Sequence, residues 1–195
     1  DQENLSKNVF EDRLPVVSPN GKTILFSSNR DSKSGELYTM DLNGENLKQL
    51  TKDGLFKDAA SWRNDGKKIV FTMDIIPDSD TVSKSNGEIF IINSDGSNPI
   101  QLTNRAGFDG GPVFSPNNKK IAFYGRSESG NSDLFLMNTD GSEIENLTND
   151  KAEDYSPSWS PDGGWLAYTS GDKNNYDIWI INLKTKDRKR LTTQP

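Results

Sequence analysis

Short apolar runs in which hydrophobic and polar residues alternate recur from one end of the chain to the other. "TILFS" (23–27), "KIVFTM" (68–73), "KIAFY" (120–124) and "WLAYT" (165–169) form one set, and "LYTMD" (37–41), "IFIIN" (89–93), "LFLMN" (134–138) and "IWIIN" (178–182) form a second. Their period is two, they are rich in β-branched and aromatic residues, and Gly, Pro, Asn or Asp interrupts them before a helix could develop. They predict β-strands. Hydrophobic residues make up only 31% of the chain, so burial must come from many short segments and not from helices with broad apolar faces.

The runs sit inside phrases that return in order. "LPVVSPNGKTILFSS" (14–28), "ASWRNDGKKIVFTM" (60–73), "GPVFSPNNKKIAFYG" (111–125) and "SPSWSPDGGWLAYTS" (156–170) are four copies of one phrase. Each is followed by a second phrase: "ELYTMDLNGENLKQLT", "EIFIINSDGSNPIQLT", "DLFLMNTDGSEIENLT" and "DIWIINLKTKDRKRLT", starting at Glu36, Glu88, Asp133 and Asp177, spaced 52, 45 and 44 residues apart. A first strand ("VVS", "SWR", "VFS", "SWS") stops at a Pro-Asn-Gly, Asn-Asp-Gly, Pro-Asn-Asn or Pro-Asp-Gly turn, where Pro presets φ and Gly or Asn accepts positive φ. The second and third strands are the apolar runs. Hairpins at Asn43-Gly44, Asp95-Gly96 and Asp140-Gly141 lead to a polar fourth strand ending in Leu-Thr; the fourth copy has Lys184-Thr185-Lys186-Asp187 there and lacks that signal. Four-stranded units of roughly 40 to 50 residues cannot bury their own faces and stack radially as blades. The predicted fold class is an all-β propeller of four visible four-stranded antiparallel blades in one domain (1–195), with repeats at 12–51, 58–103, 109–148 and 154–192.

The Ser-Pro-Asp-Gly turn before an apolar-aromatic strand, the Asp or Glu opening the third strand, the Asp-Gly hairpin and the closing Leu-Thr together resemble the TolB-like β-propeller repeat, one of the WD40-like propeller repeats. The resemblance covers about residues 12 to 192. The second copy departs most, with Arg63-Asn64 in place of Ser-Pro and a longer connection after its second strand. Rings of six to eight blades are the usual size that the resemblance implies, and two arrangements stay open: the four blades close as a small ring with an extra N-terminal strand, or they belong to, or pair into, a larger propeller. "ENLS" (3–6) matches "ENLT" (145–148), so the chain opens with what reads as the outer strand of a preceding blade. Trp62, Phe114 and Trp159, with Val17 in the first copy, are expected to wedge between neighbouring blades.

Charge and composition remove several function classes. The formal charge of -6 and a pI near 4.8 argue against a nucleic-acid or anionic-membrane surface, which needs concentrated Lys and Arg. With no His and no Cys, the chain offers no Ser-His-Asp triad, no thiolate nucleophile and no Cys or His zinc site. No apolar stretch approaches the roughly 20 residues that cross a bilayer. "DQENLSKNVF" has neither the basic start nor the apolar core of a signal peptide. Neither a cofactor nor membrane insertion is expected.

An Asp enters the first strand of every repeat, at Asp12, Asp58, Asp109 and Asp154, and in a propeller these lie on one rim of the central channel. They could form a carboxylate ring for a cation or a basic peptide, or each could cap its own turn; Asp58 sits one residue closer to its Trp than its counterparts. Phe10, Phe56 and Phe108 precede those Asp residues, either as an aromatic rim for a partner or as plugs between blades. The longest connection (72–87) carries Asp74, Asp78 and Asp80, but its spacing fails the EF-hand pattern; deletion of 75–84 is expected to leave folding nearly intact. "KTKDRKR" (184–190) reads as Lys and Arg guarding a sheet edge. The expected function is a non-enzymatic scaffold that binds a protein or peptide, and the resemblance implies a periplasmic or secreted location. Two other readings stay open: the gating propeller of a prolyl oligopeptidase-like hydrolase, whose Gly-x-Ser-x-Gly elbow would have to lie elsewhere, and a sugar or metal-ion binder. An open array of blades would be expected to form a homodimer.

Overall fold

The computed structural model describes residues 4–32, 34–75, 86–126, 130–172 and 175–193. Sixteen strands among them form four antiparallel sheets, each running in chain order from its first to its fourth strand. The first sheet comprises β1 (Asp12–Val17), β2 (Thr23–Ser28), β3 (Glu36–Asp41) and β4 (Lys48–Gln49). The second comprises β5 (Lys57–Trp62), β6 (Lys68–Asp74), β7 (Gly87–Asn93) and β8 (Ile100–Gln101). The third comprises β9 (Asp109–Phe114), β10 (Lys120–Arg126), β11 (Ser132–Asn138) and β12 (Glu145–Asn146). The fourth comprises β13 (Glu153–Trp159), β14 (Trp165–Asp172), β15 (Asn175–Asn182) and β16 (Arg188–Arg190). These are the propeller blades that the repeat predicts. Most of the long connection, including Asp78 and Asp80, lies outside the described residues.

Period-two alternation gives each blade two apolar faces, and the stack buries them against one another. Leu25, Leu37 and Leu50 of blade one meet Ile69, Phe71, Phe90 and Ile92 of blade two. Val70, Ile89 and Ile91 of blade two meet Phe114, Ile121, Phe123 and Phe135 of blade three. Ala122, Leu134, Leu136 and Leu147 of blade three meet Leu166, Tyr168 and Ile181 of blade four. The first-strand aromatics wedge at these joints as expected: the Trp62 indole donates to the Val16 carbonyl at 3.3 Å and the Trp159 indole to the Val113 carbonyl at 3.1 Å. Among the described residues the fourth sheet makes no contact with the first, and Val17, which holds the wedge position in blade one, is 53% exposed.

Every first strand carries a bulge at one repeated position, where its ladder with the second strand slips. Leu14, Ala59, Gly111 and Ser156 stand there with φ of 48°, 48°, 60° and 55°. Such a bulge bends the strand and redirects the side chains beside it. The fourth hairpin forms despite lacking the Asp-Gly signal: Asn182 accepts the Lys184 and Thr185 amides, and Lys186 takes the positive φ, at 64°.

Candidate functional site

The rim where the first strands begin is built around the blade joints. Asp12 pairs with Ser28 in its ladder, Asp109 with Gly125 and Asp154 with Ser170. The same place in blade two belongs to Lys57, opposite Met73, with Asp58 one step further on opposite Thr72. Because successive side chains point to opposite faces, Asp58 does not join the other three. The repeated position thus carries three carboxylates and one ammonium, one to a blade, where the sequence led to an expectation of four carboxylates.

Each blade adds an acid and a hydroxyl on its downstream side, at a joint in the first three. Thr51 donates to Glu36 at 2.6 Å, Thr103 to Glu88 at 2.6 Å, Thr148 to Asp133 at 3.4 Å and Thr192 to Asp177 at 2.9 Å. Each Thr hydroxyl also accepts the amide just after its acid, from Leu37, Ile89, Leu134 and Ile178. This is why the strand phrase opens with Glu or Asp and closes with Leu-Thr. The acids are nearly inaccessible, at 1% for Glu36, 0% for Glu88 and Asp133 and 5% for Asp177, and the joints neutralise them differently. Lys57, itself 0% exposed, lies 3.1 Å from Glu36 and also pairs with Asp53. Arg105 donates to Asp109 at 2.8 Å and lies over the Phe135 ring. Among the described residues Asp154 has no cation in bonding range, and its carboxyl is buried beside the Ser170 and Thr148 hydroxyls.

The joint electrostatics follow from burial. Desolvation pushes Asp109 up to about 7 against the pull of Arg105, with Glu88 adding to the rise. Asp154 is raised for the same first reason, with Asp150 and Asp133 contributing. Asp12 goes the other way, because hydrogen bonds from Ser28, Ser6, Arg30 and Asn8 outweigh its partial burial. Asp109 and Asp154 are therefore buried joint residues, while Asp12 and Asp58 are half-buried.

The aromatic side of the rim is more open. Phe10 is 48% and Phe56 40% exposed. Phe108 packs over Gly87 and Gly110, between blades two and three, and stacks on Tyr124 at 6.0 Å. Tyr124 meets Tyr155 edge-on at 5.2 Å, and Tyr155 leads to Tyr176 at 6.3 Å. Tyr176 is 43% exposed. Glu153 accepts the Tyr155 hydroxyl at 2.7 Å, and with the Ser132 amide this holds its carboxyl below the usual range despite partial burial. Burial, aided by the Asp58 charge, raises the Tyr124 hydroxyl. This row of rings was hidden in sequence because only Tyr124 falls inside a repeated phrase and the three tyrosines recur in no fixed place. A cleft of about 180 Å³ between Glu11, Arg13, Ser27, Gly35 and Phe56 opens on the same rim. Among the described residues no group of three or more Asp or Glu could hold a metal ion, and no helix is long and apolar enough to cross a membrane.

A family model described as the TolB beta propeller domain matches residues 77–195, more than half of the chain. A protein TolB homolog from Chlamydia felis is 31% identical over 118 residues, which cover 57% of this chain and 25% of that protein. The chain thus matches a quarter of that relative's length. The crystal structure of TolB from Acinetobacter baumannii superposes with a TM-score of 0.77 at 22% identity, over 94% of this chain and 44% of that one. An oligogalacturonate lyase from Vibrio parahaemolyticus gives 0.71 at 15% identity, over 94% and 54%. At these identities the two structures share the fold, and they show that one blade architecture serves both an enzyme and TolB. The repeat, the four blades and the family match agree: the chain belongs to the TolB β-propeller domain family.

Proposed function

We propose that the chain is a non-enzymatic binding scaffold that holds an extended peptide segment of a protein partner across the aromatic rim, outside the cytoplasm. The observation that carries this reading is the row Phe108, Tyr124, Tyr155 and Tyr176, whose rings follow one another at 5.2 to 6.3 Å across two blades. Rigid aromatic surface with hydroxyl groups at its edge lets a peptide stack and hydrogen-bond at little entropic cost. Phe10 and Phe56 extend the contact set, with Asp12 and Asp58 as its charged members. Asp109 and Asp154 serve from inside, by setting the blade joint on which the rings rest. The acidic side chains favour a basic segment, so affinity should fall as salt rises. A chain with no His and no Cys that presents half-buried rings and carboxylates is suited to holding a partner rather than to turnover. The family resemblance supports the extracytoplasmic placement.

The test is a display selection of peptides on the purified chain, followed by titration of the selected peptide. Phe108→Ser with Tyr155→Ser should weaken binding at least tenfold, about 1.4 kcal/mol, while Asp140→Asn on the opposite rim leaves it unchanged. Peptides that bind both variants as tightly as the parent would rule out the aromatic row as the contact surface.

A further inference from the structure

The joint between blades one and two differs from the next two at the rim opposite the aromatic row. Across the second joint the first hairpins are bonded together: the Asn64 amide donates to the Asn118 side chain at 2.9 Å, and the Asn64 side chain donates to the Pro116 carbonyl at 2.7 Å. Across the third joint the hairpins touch, since a Cβ at Gly163 would stand 3.6 Å from Pro116 Cδ. Gly66 is the counterpart of Gly163 at the first joint, and a Cβ there would meet nothing within 4 Å. Pro19 holds the place of Asn64 in blade one, and with neither an amide hydrogen nor a polar side chain it cannot tie the hairpins in the same way. A cleft of about 500 Å³ opens between them, within the roughly 300–1,000 Å³ of small-molecule sites.

The repeat departs from its own pattern where it lines this cleft. Buried Ile91 and Leu136 fill one position of the third strand at the second and third joints, whereas Thr39 stands at that position in blade one. Lys68 and Lys120 open the second strands of blades two and three, whereas blade one has the shorter Thr23. Trp62 and Ser94 line the wall that blade two contributes, with Asn20 and Asp65 in the two hairpins at the mouth. Among the described residues no protein hydrogen bond takes the Thr23, Thr39 or Ser94 hydroxyl, which leaves all three for a ligand. Of the described residues lining the cleft only Asp65 is charged, and Arg63 Nε donates to it at 3.0 Å.

We propose that this cleft is a binding site for a neutral saccharide of one or two pyranose units. Sugar hydroxyls both donate and accept, as do the hydroxyls of the walls, so site and ligand satisfy one another in either direction. Trp62 supplies the apolar wall on which the C–H face of a sugar ring packs. Its indole N–H is already held by the Val16 carbonyl at 3.3 Å, which fixes the ring in place. A lining whose one charge is paired offers no counter-ion, so an anionic or cationic ligand would lose its hydration without compensation. The site lies apart from the aromatic row and stands independently of the peptide reading.

NMR titration of the isotope-labelled chain with maltose, cellobiose and N,N'-diacetylchitobiose tests this, followed at the Trp62 indole N–H, with Trp62→Phe assigning that signal. Thr39→Ile and Thr23→Lys install the residues of blade two at the same positions, so folding should survive, and circular dichroism checks it. At least one of the sugars should shift the Trp62 signal saturably, and each variant should weaken that binding at least about tenfold. Phe108→Ser with Tyr155→Ser should leave it unchanged. A Trp62 signal that none of the sugars moves at the limit of solubility would overturn the proposal, as would saturable binding that both cleft variants keep. Shifts produced by digalacturonate and by none of the neutral sugars would overturn the ligand class and assign the cleft to an anion.

Discussion

Below about pH 4 the Asp109 carboxyl holds a proton whether the chain is folded or not. Burial raises it to about 7 in the fold, from an ordinary 3.8. Between these values only the folded chain binds the proton, so stability falls as pH rises from about 4 to about 7 and levels off above. Asp154, raised in the same direction, adds to the decline; Asp12, held low, contributes stability that is lost on acidification instead. Asp109→Asn keeps a neutral, hydrogen-bonding group beside Arg105, so it should flatten the decline and raise the melting temperature near pH 8 relative to the parent while changing little near pH 5. Equal slopes of stability against pH for parent and variant would show that Asp109 does not carry the effect. A second single-residue expectation concerns Gly111. Its bulge counterparts Leu14, Ala59 and Ser156 bear side chains at similar φ, so left-handed backbone alone is tolerated there. A Cβ at Gly111 would stand 2.6 Å from Tyr124 Cε1. Gly111→Ala should therefore cost about 1–3 kcal/mol, and chemical denaturation should show most of that cost vanishing when Tyr124→Ser is already present.

Each blade is closed by one hydroxyl at the end of its fourth strand. Thr103 accepts the Ile89 amide at 2.9 Å and donates to Glu88 at 2.6 Å, and it is 2% exposed. Thr103→Val preserves shape while leaving a buried amide and a buried carboxylate short of a partner, and denaturation should register about 2–4 kcal/mol. A loss below about 0.5 kcal/mol would mean that solvent or a neighbour replaces the hydroxyl. The strands of every blade were legible in the sequence, because a period of two between Gly, Pro and Asn turns leaves few other structures. The Leu-Thr ending was legible only as a repeat; its chemistry depends on which acid the fold sets opposite it. The rim was less legible still. A one-residue difference in register moves Asp58 to the other face and installs Lys57 at the joint, and the sequence marks it only by placing Asp58 one residue closer to Trp62 than its counterparts stand to theirs. The tyrosine row was illegible for a related reason: Tyr124, Tyr155 and Tyr176 come from second, first and third strands, and only the stacking of blades brings them together.

At the scale of the molecule, stability is a sum of blade and joint contributions, as in other stacked repeats where each unit touches only its neighbours. Blades two and three have a joint on each face; blade four has one. Local opening should follow that difference, since segments with few buried apolar contacts exchange amide hydrogens at low free-energy cost. In dilute solution the amides of β15 and β16 should exchange fastest among the blade strands, and those of β6, β7, β10 and β11 slowest. The first blade should fall between, because Leu5 packs against the cluster of Ile24, Phe26, Tyr38 and Met40 and shields it in part. Equal protection of β15 and β11 in the dilute chain would instead show that an exposed blade face costs the stack little, and the joints could then no longer be held responsible for the order of opening.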